Sequence, residues 1–242
     1  MPDYRPLFSL IIPAYQEEKR IGTTLEELSA YLNRNHPDAE LIVVSGGSTD
    51  NTVGIARPYE KTIKAKLKVF DVKEAKGKGA AVRAGVLEAS GDYILFTDAD
   101  LSYSPTLFDQ FIERLKNGAD VAIAQRIGAR NYTGLGRHLL GALTRLIAGT
   151  ILVPGIKDTH AGLKAFTRPA AEYLFQRQKV NGFLFDLEIL LLARRKGYRI
   201  EKIYVEWEDK AESTFRLVRD TGRAFLDLLK IYWRLVTGQY KI

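Results

Sequence analysis

The chain has 242 residues, of which 46% are hydrophobic and 27% charged, a composition typical of a globular protein with a buried core. It contains no cysteine, which excludes disulfides and thiolate metal sites, and its three histidines are scattered, so a metal ion would be held mainly by oxygen ligands. The net charge of +7 indicates an anionic partner, for which nucleic acid, anionic lipid and a phosphorylated substrate all qualify.

Five short apolar runs, rich in β-branched residues, alternate with stretches of helical spacing between residues 8 and 126. The predicted strands are Phe8–Pro13, Glu40–Val44, Leu67–Val72, Tyr93–Thr97 and Val121–Ala124. Continuous apolar strands that alternate with helices predict an α/β fold with a mostly parallel sheet flanked by helices. Ligands of such sheets bind beyond the carboxyl ends of the strands, so the residues just after each strand are the candidates for a site.

The segments between these strands carry the apolar spacing of helices. One helical face combines Ile21, Leu25, Leu28 and Leu32, and a weaker one combines Ala80, Val82, Val86 and Leu87. Ser104 and Pro105 predict the N-cap and the first residue of a helix that runs to about Lys116. The residues of this helix that are predicted to face inward are Leu107, Phe108, Phe111 and Leu115.

The pattern changes after residue 126. Leu139–Val153 is almost wholly apolar but short for a membrane-spanning helix, which favours a buried or interfacial segment. Ile189–Leu192 is predicted to belong to a core helix, and Arg199–Trp207 to form a strand. A last helix is predicted from Glu212 to Val236, with basic residues at some positions and aromatic and aliphatic residues at others. The N-terminus lacks the pattern of a signal peptide, so we expect a cytoplasmic protein.

The strongest chemical signal is Asp98-Ala99-Asp100, which follows the fourth predicted strand. Where the chain turns beyond the strand, the two carboxylates can converge on one cation. A divalent cation there would neutralise and orient a diphosphate leaving group. The alternative is a polar strand end that caps the next helix.

The first two strands also end in polar turns. Pro13-Ala14-Tyr15-Gln16-Glu17-Glu18 combines a fixed turn, an aromatic ring and carboxylates, which could receive a base and a ribose. The alternative is a strand-to-helix turn whose acidic residues favour the helix N-terminus. The second turn, from Ser45 to Thr52, has glycines that let a ligand approach the backbone and a helix start whose amides could bind an anion. Its alternative is a plain capped turn.

Taken in order, these motifs resemble the family 2, GT-A-type glycosyltransferases. Pro-Ala-Tyr-x-Glu-Glu, Gly-Ser-Thr-Asp-x-Thr, Gly-Lys-Gly and Asp-Ala-Asp recur at the family's spacing over about the first 105 residues. Further along, Arg126, Arg137, Asp158–Lys164, Gly182–Glu188 and the basic C-terminal helix resemble the polyprenyl-phosphate branch, the dolichyl-phosphate mannose and glucose synthases. The resemblance covers nearly the whole chain. It implies a GT-A-type, Rossmann-like domain over residues 1–211 and a C-terminal amphipathic helix, suited to membrane association, over residues 212–242.

The resemblance also implies roles for single residues. The nucleotide-sugar donor would bind at Pro13, Ala14, Tyr15, Glu17, Ser45, Gly46, Lys78 and Asp98. Asp98, Asp100 and Ser102 would hold Mg²⁺ or Mn²⁺. Arg126 and Arg137 would bind the phosphate of the lipid acceptor with forked guanidinium donors, and these two arginines with Asp98 and Asp100 would form the catalytic group. Asp158, Asp186 and Glu188 are either polar residues behind the site or simple caps.

The sequence departs from the family's pattern in three places. Ser45 and Gly46 stand where the family commonly has two acidic residues, which leaves the nucleotide base open. Ser102 stands where some relatives have a glutamine that helps to hold the metal. The transmembrane helices that many relatives append have no counterpart in the sequence, so we expect peripheral contact with the cytoplasmic face of a membrane.

The reaction that the resemblance implies is an inverting transfer of a hexose from a UDP- or GDP-sugar to polyprenyl or dolichyl phosphate. Because the lipid phosphate is already an anionic nucleophile, no strong base is required, in keeping with a chain that has no obvious histidine base near its motifs. Three alternatives stay open: a family 2 enzyme that glycosylates a saccharide or protein hydroxyl, a nucleotidyltransferase, and a degenerate nucleotide-sugar binder or basic nucleic-acid module. The intact Asp98-Ala99-Asp100 weighs against the last, and we expect no nucleic-acid partner.

Overall fold

A computed structural model describes residues 5–127, 152–156, 158–206 and 217–240, with the backbone alone for residues 217–225. Seven strands of this part of the chain form one sheet: β1 (Phe8–Ala14), β2 (Glu40–Ser45), β3 (Lys66–Asp71), β4 (Tyr93–Phe96), β5 (Val121–Ile127), β6 (Lys164–Thr167) and β7 (Ile200–Glu206). Their order in the sheet is β3-β2-β1-β4-β6-β5-β7. Because only β6 runs antiparallel to its neighbours, the predicted mostly parallel sheet is confirmed.

Helices connect the strands and cover the sheet. They are α1 (Ile21–Asn35), α2 (Thr52–Ala56) with a 3-10 helix after it (Arg57–Lys61), α3 (Lys78–Glu88), α4 (Leu107–Lys116), α5 (Arg168–Arg177), α6 (Phe185–Lys196) and α7 (Leu217–Val236). The predicted core helix around Ile189–Leu192 is therefore the centre of α6.

The core lies on both faces of the sheet, because successive side chains of a strand point to opposite faces. Ile11 and Phe96 pack on one face with residues of α3, α5 and α6. Leu10, Ile12 and Leu95 pack on the other face with residues of α1 and α4. Burial on both sides is the reason why these strands read as continuous apolar runs.

Two details of the helix predictions were wrong. Helix α4 begins at Leu107 with Thr106 as its N-cap, because Ser104 and Pro105 form a preceding turn in which the Ser104 carbonyl accepts the Leu107 amide at 3.0 Å. Leu87 was predicted to lie on the inner face of α3, but its side chain is 54% exposed. The helix ends one residue later, and its buried face is built from small residues and valines instead.

The C-terminal helix packs its inner face on the domain. Leu228 and Ile231 of α7 are buried in the same cluster as the strands, whereas the opposite face exposes Leu226, Leu229 and Trp233. No helix in the described ranges is long and apolar enough to cross a membrane. The start predicted for this helix at residue 212, and with it the boundary between residues 211 and 212, lies outside the described residues and stays a prediction.

The apolar segment Leu139–Val153 is described only at its end, where Leu152 and Val153 are buried. Its other residues, and Arg137 before it, lie outside the described residues. Their assignment to the lipid acceptor therefore stays a prediction.

Candidate active site

Lys78 and Asp98 form an ion pair at the carboxyl edge of the sheet. Lys78 is the first residue of α3 and Asp98 follows β4 by two residues; the lysine Nζ lies 2.6 Å from the aspartate Oδ1. Burial alone would lower the pKa of Lys78, but the negative charges of Asp98, Asp186 and Asp100 outweigh it and raise that pKa above its ordinary value. The site therefore holds a fixed ammonium group beside the Asp-Ala-Asp motif.

The two glycines beside Lys78 let its turn pack directly on a neighbouring segment. Gly77 has a φ of +105°, and a Cβ there would meet the carbonyl group of Asn181. A Cβ on Gly79 would lie 2.5 Å from the Cβ of Phe185, the first residue of α6. The Gly-Lys-Gly pattern is thus the local condition for placing the lysine at this edge.

Helix α1 supports the turn that carries both aspartates. The Thr24 hydroxyl donates a hydrogen bond of 2.5 Å to the Ala99 carbonyl, and the Asp100 Oδ1 accepts the Ser102 amide at 3.0 Å. Leu101 between them has a φ of +46°, in the left-handed region that bulky residues avoid. Ser102 therefore meets Asp100 through its backbone.

A third carboxylate, that of Glu17, belongs to the same corner. Burial raises its pKa; the Arg20 guanidinium, at 2.8 Å, opposes this rise, and the negative charges of Asp100 and Asp98 add to it. The described residues include no cluster of three or more acidic or histidine side chains that could hold a metal unaided. Oxygen donors of this kind fit Mg²⁺ or Mn²⁺, which commonly take further ligands from water and substrate phosphates.

The turns after β1 and β2 are joined by hydrogen bonds. The amides of Gln16 and Glu17 donate to the hydroxyls of Ser48 and Thr52 at 3.1 and 2.9 Å. The amides of Ser48, Asn51 and Thr52 donate to the side chains of Ser45, Glu18 and Asp50. These three amides already bind protein oxygens, so anion binding at the start of α2 stays a prediction for the amides that follow them.

The other predicted donor residues line this double turn at different depths. Tyr15 is 58% exposed at the sheet edge, Pro13 is partly buried and Ala14 is buried. Ser45 is fully buried, and a Cβ on Gly46 would lie 2.7 Å from the Ala75 carbonyl oxygen. Gly46 is therefore required by the close passage of the chain that leads to α3.

Arg126, near the end of β5, forms a bidentate ion pair with the carboxylate of Asp158. Its Nε and Nη2 lie 2.5 and 3.0 Å from the two carboxylate oxygens, and Asp158 is buried. Gln125 donates from Nε2 to the Asp158 carbonyl at 2.9 Å, which holds the backbone as well. Asp158 is thus a partner of the predicted acceptor arginine rather than a simple cap.

His160 and Lys164 were not assigned roles from the sequence, although both reach the site. Burial lowers the pKa of His160 to about 4, so its imidazole is neutral near pH 7. Lys164 is fully buried and donates to Asp186 at 2.6 Å and to the Ala161 carbonyl at 2.7 Å. The sequence signal was the run of polar and small residues from Asp158 to Gly162, followed by a lysine at the start of an otherwise apolar strand.

Glu188 of α6 ties the C-terminus to the domain. Its carboxylate is buried and accepts the amides of Lys179 and Val180 at 2.9 and 2.7 Å and the Tyr240 hydroxyl at 2.7 Å. The segment that it holds is the one on which the Gly-Lys-Gly turn packs, since a Cβ on Gly79 would also lie 2.8 Å from the Val180 carbonyl oxygen. Glu188 therefore supports the site from behind.

Comparison with known proteins agrees with this geometry. The family described as glycosyl transferase family 2 matches residues 9–175. Dolichyl-phosphate beta-glucosyltransferase ALG5C of Trichomonas vaginalis is 35% identical over 86% of this chain and 66% of its own length. The human dolichyl-phosphate beta-glucosyltransferase is 31% identical over 97% of this chain and 77% of its own length. This chain thus spans about two thirds to three quarters of these relatives.

A solved structure shares the fold at low sequence identity. Glucosyl-3-phosphoglycerate synthase from Mycobacterium tuberculosis, crystallised with Mn²⁺, UDP-glucose and phosphoglyceric acid, superposes with a TM-score of 0.67 at 20% identity over 93% of this chain and 79% of that one. The family match extends from the first strand to helix α5 and so includes both the Asp-Ala-Asp turn and the segment from Asp158 to Lys164. The chain belongs to glycosyl transferase family 2.

Proposed function

We propose that this chain transfers glucose from UDP-glucose to dolichyl phosphate or a similar polyprenyl phosphate. The observation that carries the proposal is the fixed Lys78 ammonium, 2.6 Å from Asp98, at the sheet edge where a family 2 enzyme would bind its donor. The relatives named above are dolichyl-phosphate beta-glucosyltransferases, and the structural neighbour was crystallised with UDP-glucose. The names of the relatives support glucose over mannose, and the ligand of the structural neighbour supports UDP over GDP.

The reaction is a single displacement at the anomeric carbon of glucose. A phosphate oxygen of the lipid forms the new bond to this carbon, while its bond to the diphosphate breaks and UDP leaves with the electron pair. The configuration inverts, so an α-linked donor gives the β-linked lipid phosphate glucose. No proton has to be removed from the nucleophile, which is anionic before it attacks.

The protein's contribution is charge stabilisation and alignment. The Lys78 ammonium faces the charge that develops on the diphosphate. The carboxylates of Asp98 and Asp100 would hold Mg²⁺ or Mn²⁺, with remaining ligands from the diphosphate and water. When bound, such an ion neutralises the leaving group. Tyr15 and Glu17 would contact the nucleoside from the turn after β1.

The lipid phosphate would bind on the side of Arg126. The Asp158 carboxylate fixes the plane of this guanidinium, so its orientation is set before the acceptor arrives. Arg137 would complete the acceptor site.

Helix α7 would bring the site to the acceptor as a peripheral contact with the cytoplasmic face of a membrane. Its described part exposes a stripe of five large apolar side chains, which we call the α7 stripe: Leu226, Leu229, Tyr232, Trp233 and Val236. Each of them is about half exposed, although the opposite face of the same helix is already buried in the core. Aromatic and aliphatic residues on one side of a surface helix suit the headgroup region of a bilayer.

A transfer assay tests the proposal. The purified chain is given labelled UDP-glucose, dolichyl phosphate in detergent and Mn²⁺ or Mg²⁺, and the label is followed into the lipid fraction. We expect β-linked lipid phosphate glucose, with much slower transfer from GDP-mannose. Transfer to saccharides but not to lipid phosphate would favour the hydroxyl-specific alternative, and UDP-glucose binding without any transfer would favour a degenerate binder.

A further inference from the structure

Gly162 faces Asp98 across the junction of two strands. β4 and β6 are antiparallel with Phe96 opposite Lys164, and the same register, continued beyond the end of β4, sets Gly162 opposite Asp98. A Cβ on Gly162 would fall on the aspartate side chain, 2.7 Å from its Cγ and closer still to Oδ2. The space that a side chain would fill at position 162 is therefore taken by the Asp98 carboxylate.

Space, and not backbone conformation, is what requires glycine at this position. Gly162 is not among the glycines with positive φ, so an L-residue could adopt its backbone angles. Gly77, in contrast, combines a close neighbour with a φ of +105°. An alanine at position 162 would thus act through its methyl group alone, by pushing on Asp98.

The segment that carries Gly162 cannot easily retreat from Asp98. The buried Lys164 Nζ donates to the Ala161 carbonyl at 2.7 Å and is itself held by Asp186 at 2.6 Å. At the other end of the segment, the Asp158 carboxylate is held by Arg126 and its backbone by Gln125. A retreat of the segment would separate these buried partners, and a buried charge without its partner is costly.

The Oδ2 atom of Asp98 lies nearest Gly162, and its Oδ1 atom pairs with the Lys78 ammonium at 2.6 Å. We infer that Gly162 is a positioning residue: its lack of a side chain leaves the space that the Asp98 carboxylate occupies when it pairs with the Lys78 ammonium, and the Lys164–Asp186 pair holds the segment of Gly162 beside that space. The consequence for catalysis rests on the proposed function. The steric relationship between positions 162 and 98 does not.

A double-mutant cycle on stability tests the steric part without any substrate. Gly162→Ala, Asp98→Ala and the double variant are melted beside the wild type. Gly22→Ala is the matched control, because a Cβ there would meet its nearest neighbour at 3.5 Å, an ordinary contact. We expect Gly162→Ala to lower the melting temperature by several degrees in the wild type and not in the Asp98→Ala background. Equal losses in both backgrounds would overturn the inference.

Kinetics test the positioning part. In the transfer assay, Gly162→Ala should lower kcat at least ten-fold with an unchanged KM for dolichyl phosphate, while Gly22→Ala keeps both values. A wild-type kcat in Gly162→Ala would overturn the positioning role. If the wild type itself transfers no glucose, the proposed function fails. The double-mutant cycle on stability then still decides whether a side chain at position 162 displaces the Asp98 carboxylate.

Discussion

The Lys78 ammonium donates to the Asp98 carboxylate at 2.6 Å, although the two residues belong to different helix and strand units. α3 starts at the lysine, directly after Gly77, whose φ of +105° is not helical. The Gly-Lys-Gly turn packs on the segment before α6, and the aspartate follows β4 at the same edge of the sheet. The pair places opposite charges where a diphosphate and its metal would compete for them. Substitutions on the lysine side and on the carboxylate side of this pair should therefore affect the reaction in different ways.

Replacing Lys78 by methionine should lower kcat/KM for glucose transfer by about 100-fold, since a fixed cation is lost from the leaving-group side. Lys76→Met is the matched control, because Lys76 is an exposed lysine in the same turn. Steady-state kinetics with UDP-glucose measure the effect. Near-wild-type kinetics in Lys78→Met would remove the lysine from the mechanism.

Asp100→Asn should abolish the response of donor binding to Mn²⁺ or Mg²⁺ and reduce transfer by tens- to hundreds-fold. Calorimetry of UDP-glucose binding, with and without the ion, measures it. Asp92→Asn controls for a lost surface carboxylate, since Asp92 is exposed at the opposite end of β4. Full activity of Asp100→Asn, or of the wild type in excess EDTA, would contradict the metal assignment.

Arg126→Ala should raise the KM for dolichyl phosphate while UDP-glucose binding stays nearly intact. Arg126→Lys should restore little, because a point charge cannot replace a guanidinium that binds with two donors. The alanine variant leaves the buried Asp158 without this partner, so Arg126→Gln with Asp158→Asn, which keeps a neutral pair, is melted and assayed beside it. We predict the same acceptor defect for Arg137→Ala. Lost nucleotide binding with normal acceptor use would show that the arginines serve the donor.

His160 should make stability depend on pH below neutrality. Burial holds its folded pKa near 4, against 6.5 for an unperturbed histidine, so between these values the unfolded chain binds more protons. The histidine's contribution to the free energy of unfolding is therefore complete above about pH 6.5, falls as pH decreases toward 4, and stays lost below it. The difference in unfolding free energy between wild type and His160→Gln, measured by urea titration from pH 4 to 7, should follow this course. A pH-independent difference would place the imidazole in solvent.

The α7 stripe should bind anionic vesicles. Leu229→Gln with Trp233→Gln should reduce sedimentation with the vesicles, whereas Leu87→Gln, an exposed leucine on α3, should not. Raising the salt concentration should weaken binding, because each cation near an anionic surface contributes about 1 kcal/mol. Replacing Arg219 and Arg223 of the helix, together with Arg216 before it in the sequence, by glutamine should have the same effect as salt. Equal recovery of the wild type and all variants in the supernatant at low salt would exclude the α7 stripe as the contact with the vesicles.

Much of the fold was predictable because strand and helix periodicity is local. The five predicted strands of the first half match β1 to β5 with ends that differ by a few residues, and β5 runs on to Ile127 because β7 pairs with it to that point. The start of α4 was misplaced because serine and proline also fit the turn that precedes the helix. His160 was overlooked because a lone histidine carries no periodic signal.

The sequence by itself determined that the motifs sit at strand ends, and hence that they share one edge of a parallel sheet, since hydrophobic patterning and turn residues are read within a few positions. Only the tertiary structure decided which of them touch. The insertion of β6 between β4 and β5 brings Gly162 against Asp98 and buries Lys164 beside Asp186. No local pattern encodes a strand inserted out of sequence order, because its place depends on the packing of the whole sheet and on the partners that a buried charge must find.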